Sequence, residues 1–277
     1  MCILFAILEL IFGIVAAIVV LSYAIAWYEY ANRDPALMRE RFTPGRLWFA
    51  AKLLVTETAL LFVTVLLNPL GWFSFKDKPA AEAGGTPVLL LHGLFHNRAC
   101  WLWARFRLRR KGFKSLYAIN LPPWYDVERL TERVSKKVDE LRHASGVDKI
   151  SLVGHSMGGM IARNYIQLRG GGEKVESCVL LSSPNGGSKL APFALSSLGK
   201  ILLPGSEFLQ RLAAAPLPPH VRLTALVNRH DNMVLPFENS RLEGVRNVEL
   251  GGMGHASVLY RGRATEAIAQ ALREPAP

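Results

Sequence analysis

Between positions 3 and 27 the chain reads ILFAILELIFGIVAAIVVLSYAIAW, with Glu9 its only charge. Backbone in bilayer hydrocarbon has no water to bond to, so a stretch of this kind can only close its own hydrogen bonds as a helix. The run is longer than the roughly 20 apolar residues a crossing needs. Tyr23, Trp27, Tyr28 and Tyr30 gather near its end, where an interfacial aromatic belt sits. A cleaved leader is the competing reading, because AIA at 24–26 has the small-x-small form of a cleavage site. The lack of a basic start and the length of the run weigh against it.

A second run, LLVTETALLFVTVLLNPLGWF at 53–73, carries Glu57 near its start and Asn68 and Pro69 near its end. It is read as a second span, with an amphipathic helix lying on the membrane as the alternative. Glu9 and Glu57 are costly in lipid and should face protein, water or the headgroup edge. Residues 1–75 are thus expected to be a membrane anchor. KDKPAAEAGGTP at 76–87 is polar, rich in Gly and Pro and without periodicity, so 76–86 reads as a linker.

Residues 87–277 remain for one domain with a sizeable core. The anchor holds five basic and five acidic residues, so the net charge of +11 belongs to the part beyond it. RFRLRRK at 105–111 is the densest basic cluster, suited to a solvated helix face or to anionic headgroups. Nothing resembles a nucleic-acid-binding module. Cys2, Cys100 and Cys178 have neither ligand spacing nor the even count of a disulfide framework.

Short apolar runs alternate with helical periodicity through this part. VLLLHG at 88–93, SLYAINLPP at 115–123, ISLVGHS at 150–156, CVLLSSP at 178–184, RLTALVN at 222–228 and VRNVEL at 245–250 read as strands. Val127, Leu130, Val134, Val138 and Leu141 fall at steps of three and four and mark a helix closed near Gly146. Further helices are expected after Ser156 and from about 264 to 273. The alternation predicts an α/β fold, a mostly parallel sheet covered by helices on both faces. The stretch 189–219 is too long and too apolar for a connection, and is read as a small helical cap or as a peripheral addition to the core.

LVGHSMGGM at 152–160 is the sharpest local signal. A serine hydroxyl is a poor nucleophile that needs a base, an orienter for the base and donors for the oxyanion. GHSMG between a strand and a helix fits the GxSxG elbow, a strained turn that exposes Ser156, where side chains on Gly154 or Gly158 would crowd the chain. In such an arrangement the acid and then the base follow the serine. Downstream of Ser156 the sole Asp is Asp231, directly after a strand, and the sole His past it is His255, 24 residues on in a Gly-rich loop. Glu238, Glu243 and Glu249 are substitutes for the acid that follow a strand less directly. Met157 and Leu94 are the expected backbone donors of an oxyanion hole. His92 and His96, four apart, would suit a metal only on a helix, and His92 ends a strand. His230 would tune the acid or face solvent.

LLLHGLFHN, LVGHSMGGMIAR, LSSPNGGS and GMGHASVL, taken together and in order, resemble the bacterial lipase and esterase branch of the α/β-hydrolase family over about 86–273. SSPNGGS is similar to that branch's threonine-proline-x-x-glycine segment, with Ser183 in place of the threonine. His96 and Asn97 stand where a glycine is often found. The resemblance implies ester hydrolysis through an acyl-Ser156 intermediate, with His255 as base and acid, Asp231 as its orienter, and no metal or organic cofactor. An apolar cap and an anchor point to lipid-like acyl esters. A short-chain carboxylesterase, an acyl-thioesterase and a non-catalytic membrane adaptor are the alternatives. Lys and Arg between the two runs should stay inside, which would leave the catalytic domain on the periplasmic or extracellular face of the cell (inner) membrane. If 53–73 does not cross, the domain would face the cytoplasm.

Overall fold

The computed structural model describes residues 2–33, 42–73 and 84–274, so Arg39, Arg41 and most of the expected linker lie outside the described residues. Six strands form one sheet in the order β2-β1-β3-β4-β5-β6, and every neighbouring pair is parallel. They are β1 (Val88–Leu91), β2 (Leu116–Ile119), β3 (Ile150–His155), β4 (Val175–Leu181), β5 (Arg222–Asn228) and β6 (Arg246–Leu250).

Successive residues point to opposite faces, so each face has its own core. Leu89, Leu91, Ile150, Leu152 and Leu180 pack under α4 (Val127–Ser145) and α5 (Met157–Leu168). Val88, Leu90, Val153, Val179 and Leu226 pack under α3 (Leu102–Arg110) and α8 (Gly262–Arg273). The helix α4 starts where Asp126 accepts the Arg129 N–H, a side-chain cap for an orphan donor. Helix α3 carries the basic cluster, but Arg105 is buried and donates to the Leu116 carbonyl at 2.9 Å. This helix therefore has one cation turned inward and is not simply a solvated face.

The 189–219 stretch folds as short helices, among them α6 (Ser197–Lys200) and α7 (Glu207–Ala214). Leu198, Leu202, Phe208, Leu209 and Leu212 pack into the core beside α5. Phe193, Leu195 and Leu203 stay exposed.

Ahead of the sheet lie α1 (Cys2–Arg33) and α2 (Pro44–Leu67), both long and apolar enough to cross a membrane by length and composition. Helix α2 begins nine residues before the run at 53, because Pro44 suits the first helical position and PGRLWFAAK continues the helix through two cations. The two helices pack on each other through Val19, Tyr23 and Leu53, with Phe12 edge-on to Phe62. Helix α2 also lies along the domain. Phe49 meets the His230 ring, Glu57 meets the loop after β6, and Thr64 bonds Tyr260. Beyond its end, the carbonyls of Asn68 and Gly71 accept from Asn97 and Arg98. The described contacts of α1 with the domain begin at Ser22 and include Asn232, Lys189 and Glu238.

Candidate active site

In a parallel sheet all carboxyl ends share one edge, where loops from distant parts of the sequence meet. Here β3 ends at His155, and Ser156 follows at φ +54°, ψ −124°, a region that non-glycine residues avoid. Only tight packing can hold it there. A Cβ on Gly154 would overlap the Gly159 backbone, and one on Gly158 would overlap the Leu91 carbonyl. The Ser183 hydroxyl donates to the Gly154 carbonyl at 3.4 Å and occupies the space a side chain at Gly159 would need. SSPNGGS thus packs behind the elbow.

Asp231 stands just past β5 and is buried. Its Oδ1 accepts the Met233 and Val234 N–H groups at 2.8 and 2.9 Å, which fixes the carboxylate on its own turn. His255 Nδ1 lies 2.9 and 2.8 Å from the two Asp231 oxygens. A carboxylate only accepts, so Nδ1 carries the proton and, in the neutral ring, Nε2 keeps its lone pair. Burial alone would push this imidazole down. The Asp231 charge, the bond to it and then the Glu57 charge outweigh burial and hold it above its ordinary value.

His155 joins the elbow to the histidine. Its Nε2 donates to the His255 carbonyl at 3.0 Å, and the two rings lie 4.7 Å apart. His96 stacks on His155 with ring centroids 6.0 Å apart. Burial drives His155 well below its ordinary value and His96 to about 3, so both rings are neutral around His255. His92 donates to the Gly93 carbonyl and accepts from Leu121 N–H, and burial lowers it to about 4. Both its nitrogens are thus occupied, and no cluster of metal-ligating residues occurs among the described residues. No direct hydrogen bond between Ser156 and His255 occurs among the described residues, and catalytic bonds often close only with substrate bound.

Met157 opens α5, so its N–H has no carbonyl four residues back. Leu94 sits in the loop after β1, and Gly93 packs so closely on Ser156 that a Cβ there would lie 3.0 Å from the serine Cβ. Met157 thus follows Ser156 directly, and the loop that carries Leu94 packs against the serine at Gly93. Asn97 Oδ1 accepts the Ala99 N–H and Nδ2 donates to the Asn68 carbonyl at 2.6 Å, which ties this loop to the end of α2. His230 is half-buried, accepting the Gly252 N–H at 3.0 Å, rather than turned to solvent.

Two further residues hold this site and belong to no motif. Asn232 Oδ1 accepts the His255 N–H at 3.0 Å, and its Nδ2 donates to Ser22 on α1 at 2.7 Å. Glu57 accepts the N–H groups of Ala256 and Ser257. Glu57 stood out in the sequence only as an acid in an apolar run, and Asn232 was not singled out.

Residues 88–244 match the model of the alpha/beta hydrolase family. A triacylglycerol lipase of Pseudomonas fragi is 28% identical over 186 residues, 62% of each chain. The abhydrolase domain-containing protein abhd-5.2 of Caenorhabditis elegans is 24% identical over 151 residues, half of this chain and 33% of that protein. The chain thus spans less than two thirds of the length of these relatives. Among solved structures, Aspergillus fumigatus lipase B superposes with a TM-score of 0.65 at 18% identity, covering 74% of this chain and 56% of that one. The mature Bacillus licheniformis lipase BlEst2 does so with a TM-score of 0.56 at 20% identity, covering 73% and 94%. These two likenesses speak to the fold.

Proposed function

The chain belongs to the α/β-hydrolase family, and from that premise we propose that it is a membrane-associated serine hydrolase that cleaves carboxylic esters of lipid-like acyl chains. The observation that carries this reading is the buried Asp231–His255 pair set beside a serine held at a strained φ. In the reaction, His255 Nε2 takes the Ser156 proton as Oγ attacks the ester carbonyl. The Leu94 and Met157 N–H groups hold the oxyanion, and His255 returns the proton to the leaving alcohol. Water then repeats the sequence on the acyl-serine. Asp231 stabilises the imidazolium without itself taking the proton.

The substrate class rests on surroundings. Exposed Phe193, Leu195 and Leu203 stand on the insertion, and Ile3, Leu4, Phe5, Leu10, Ile14, Val20 and Leu21 are exposed around α1. Apolar surface on this scale marks contact with lipid or a partner. We read α1 and α2 as the anchor and 189–219 as a cap beside the acyl site, since a side chain at Gly199 would reach the Leu94 side chain at 3.0 Å. The packing of α2 on the domain along its length favours the arrangement with a single crossing. Glu57 and Thr64 turn one face of α2 to the domain while Val55, Val63 and Leu66 stay exposed, so α2 can lie on the membrane beside the domain, which then stays with the basic residues that follow α1, on the cytoplasmic face.

Hydrolysis of p-nitrophenyl esters of increasing chain length by the wild type and by Ser156→Ala tests the function. Activity that rises with chain length and is lost in the variant agrees with it. A profile that peaks at acetate favours a short-chain carboxylesterase, and hydrolysis unaffected by the substitution overturns the assignment.

A further inference from the structure

Glu57 is a fully buried carboxylate on a mostly apolar helix, and its two oxygens end on the backbone that follows His255. The Ala256 N–H donates to Oε1 at 2.6 Å and the Ser257 N–H to Oε2 at 2.9 Å. The rest of this loop is fastened just as closely. Gly254 donates to the Ser257 hydroxyl at 2.8 Å, Asn228 donates to the Gly254 carbonyl at 3.1 Å, and Asn232 accepts from the His255 N–H. A side chain at Gly254 would run into the Glu57 carboxylate and the Tyr23 hydroxyl, so the third glycine of GGMGH marks where the two helices meet the loop.

A buried acid costs too much to serve as a generic helix contact. Thr64, two turns on, docks α2 to Tyr260 by a hydroxyl pair at 2.6 Å without any charge. Helix α2 therefore has a neutral means of holding the domain and uses a carboxylate only behind the histidine. We propose that Glu57 is a positioning residue of the active site, which fixes the backbone of the His255 loop from the N-terminal helices and so aims the imidazole at Ser156. This rests on the hydrolase reading above. The groups facing His255 are Asp231 from the acid loop, Glu57 from α2, His155 from the end of β3 and His96 from the loop after β1. Both histidines are neutral; burial pushes the Glu57 carboxyl above the usual carboxylate range, the Ala256 and Ser257 N–H groups pull it back, and the Tyr23 hydroxyl lies next to it.

The test uses the full chain in detergent micelles and compares Glu57→Gln with Thr64→Val. An amide can replace one accepted bond but sets an NH2 against the second N–H. Glu57→Gln should lower kcat on the order of tenfold or more, since small misplacements of a base are costly. KM should stay within about twofold, because the acyl site is untouched. The acidic limb of kcat/KM should move to lower pH, because one of the two carboxylates facing the imidazolium is gone. Thr64→Val should leave all three near wild type. Equal effects of the two substitutions, or a limb that does not move, would overturn the proposal and leave Glu57 a docking contact. Should Glu57→Gln not fold, Gly254→Ala crowds the same carboxylate from the loop side and is expected to lower kcat in the same way. Wild-type kinetics in that variant would also overturn it. A wild-type chain inert toward both esters and a fluorophosphonate overturns the hydrolase reading itself, and the positioning role with it.

Discussion

His255 combines two properties that pull in opposite directions, burial that favours its neutral form and two carboxylates that favour its charged one. The carboxylates win, and the sign of the pH dependence follows. A base must be neutral to accept a proton, so kcat/KM should fall as pH drops through the raised value of His255, with an acidic limb above its ordinary 6.5. Asp231→Asn should shift that limb down and lower kcat roughly 10⁴-fold, whereas Ser156→Ala and His255→Ala should each cost about 10⁶-fold. If Asp231→Asn is silent and Glu238→Gln is crippling, the acid is misassigned. The candidate set of Ser156, Asp231 and His255 could be picked out of the sequence because the elbow has a motif and the other two are sole candidates in the order proposed. Glu57 was legible only as an anomaly, an acid in an apolar run. Its partners are 199 and 200 residues away, and no local pattern encodes such a contact.

Among elements, those with a strict period were read well and those defined by their neighbours less so. Helix α4 was visible in its spacing of Val and Leu, while β4 begins three residues before the apolar run CVLL because Val175 and Ser177 also face inward. The insertion shows the same limit. Composition marked it as apolar, but only the fold separates Leu202 and Phe208, which pack into the core, from Phe193, Leu195 and Leu203, which do not. Tests of a cap must therefore use the second group. Leu195→Asp should reduce activity on long-chain esters by roughly tenfold relative to acetate esters, the scale of a few lost apolar contacts. Equal loss on both would point away from an acyl-binding role. Phe208→Asp should instead lower the melting temperature and all activities together, because it buries an unpaired charge.

For the whole molecule, the sheet and its helices followed from alternation, but the relation of the N-terminal helices to the domain did not. Hydropathy measures whether a helix suits lipid, not what it packs against; α2 meets the loops bearing His230 and Ala256, and the turn beyond its end meets Asn97. With a single crossing through α1, green fluorescent protein fused after Pro277 should fluoresce and alkaline phosphatase there should be inactive. The reverse pattern would restore two crossings and an outward-facing domain. Whether these loops assemble a nucleophilic serine is read out by treating the full chain with a fluorophosphonate and locating the adduct by mass spectrometry. One adduct is expected, on Ser156, and none after His255→Ala. An unlabelled wild type, or an adduct on any other serine, would contradict it.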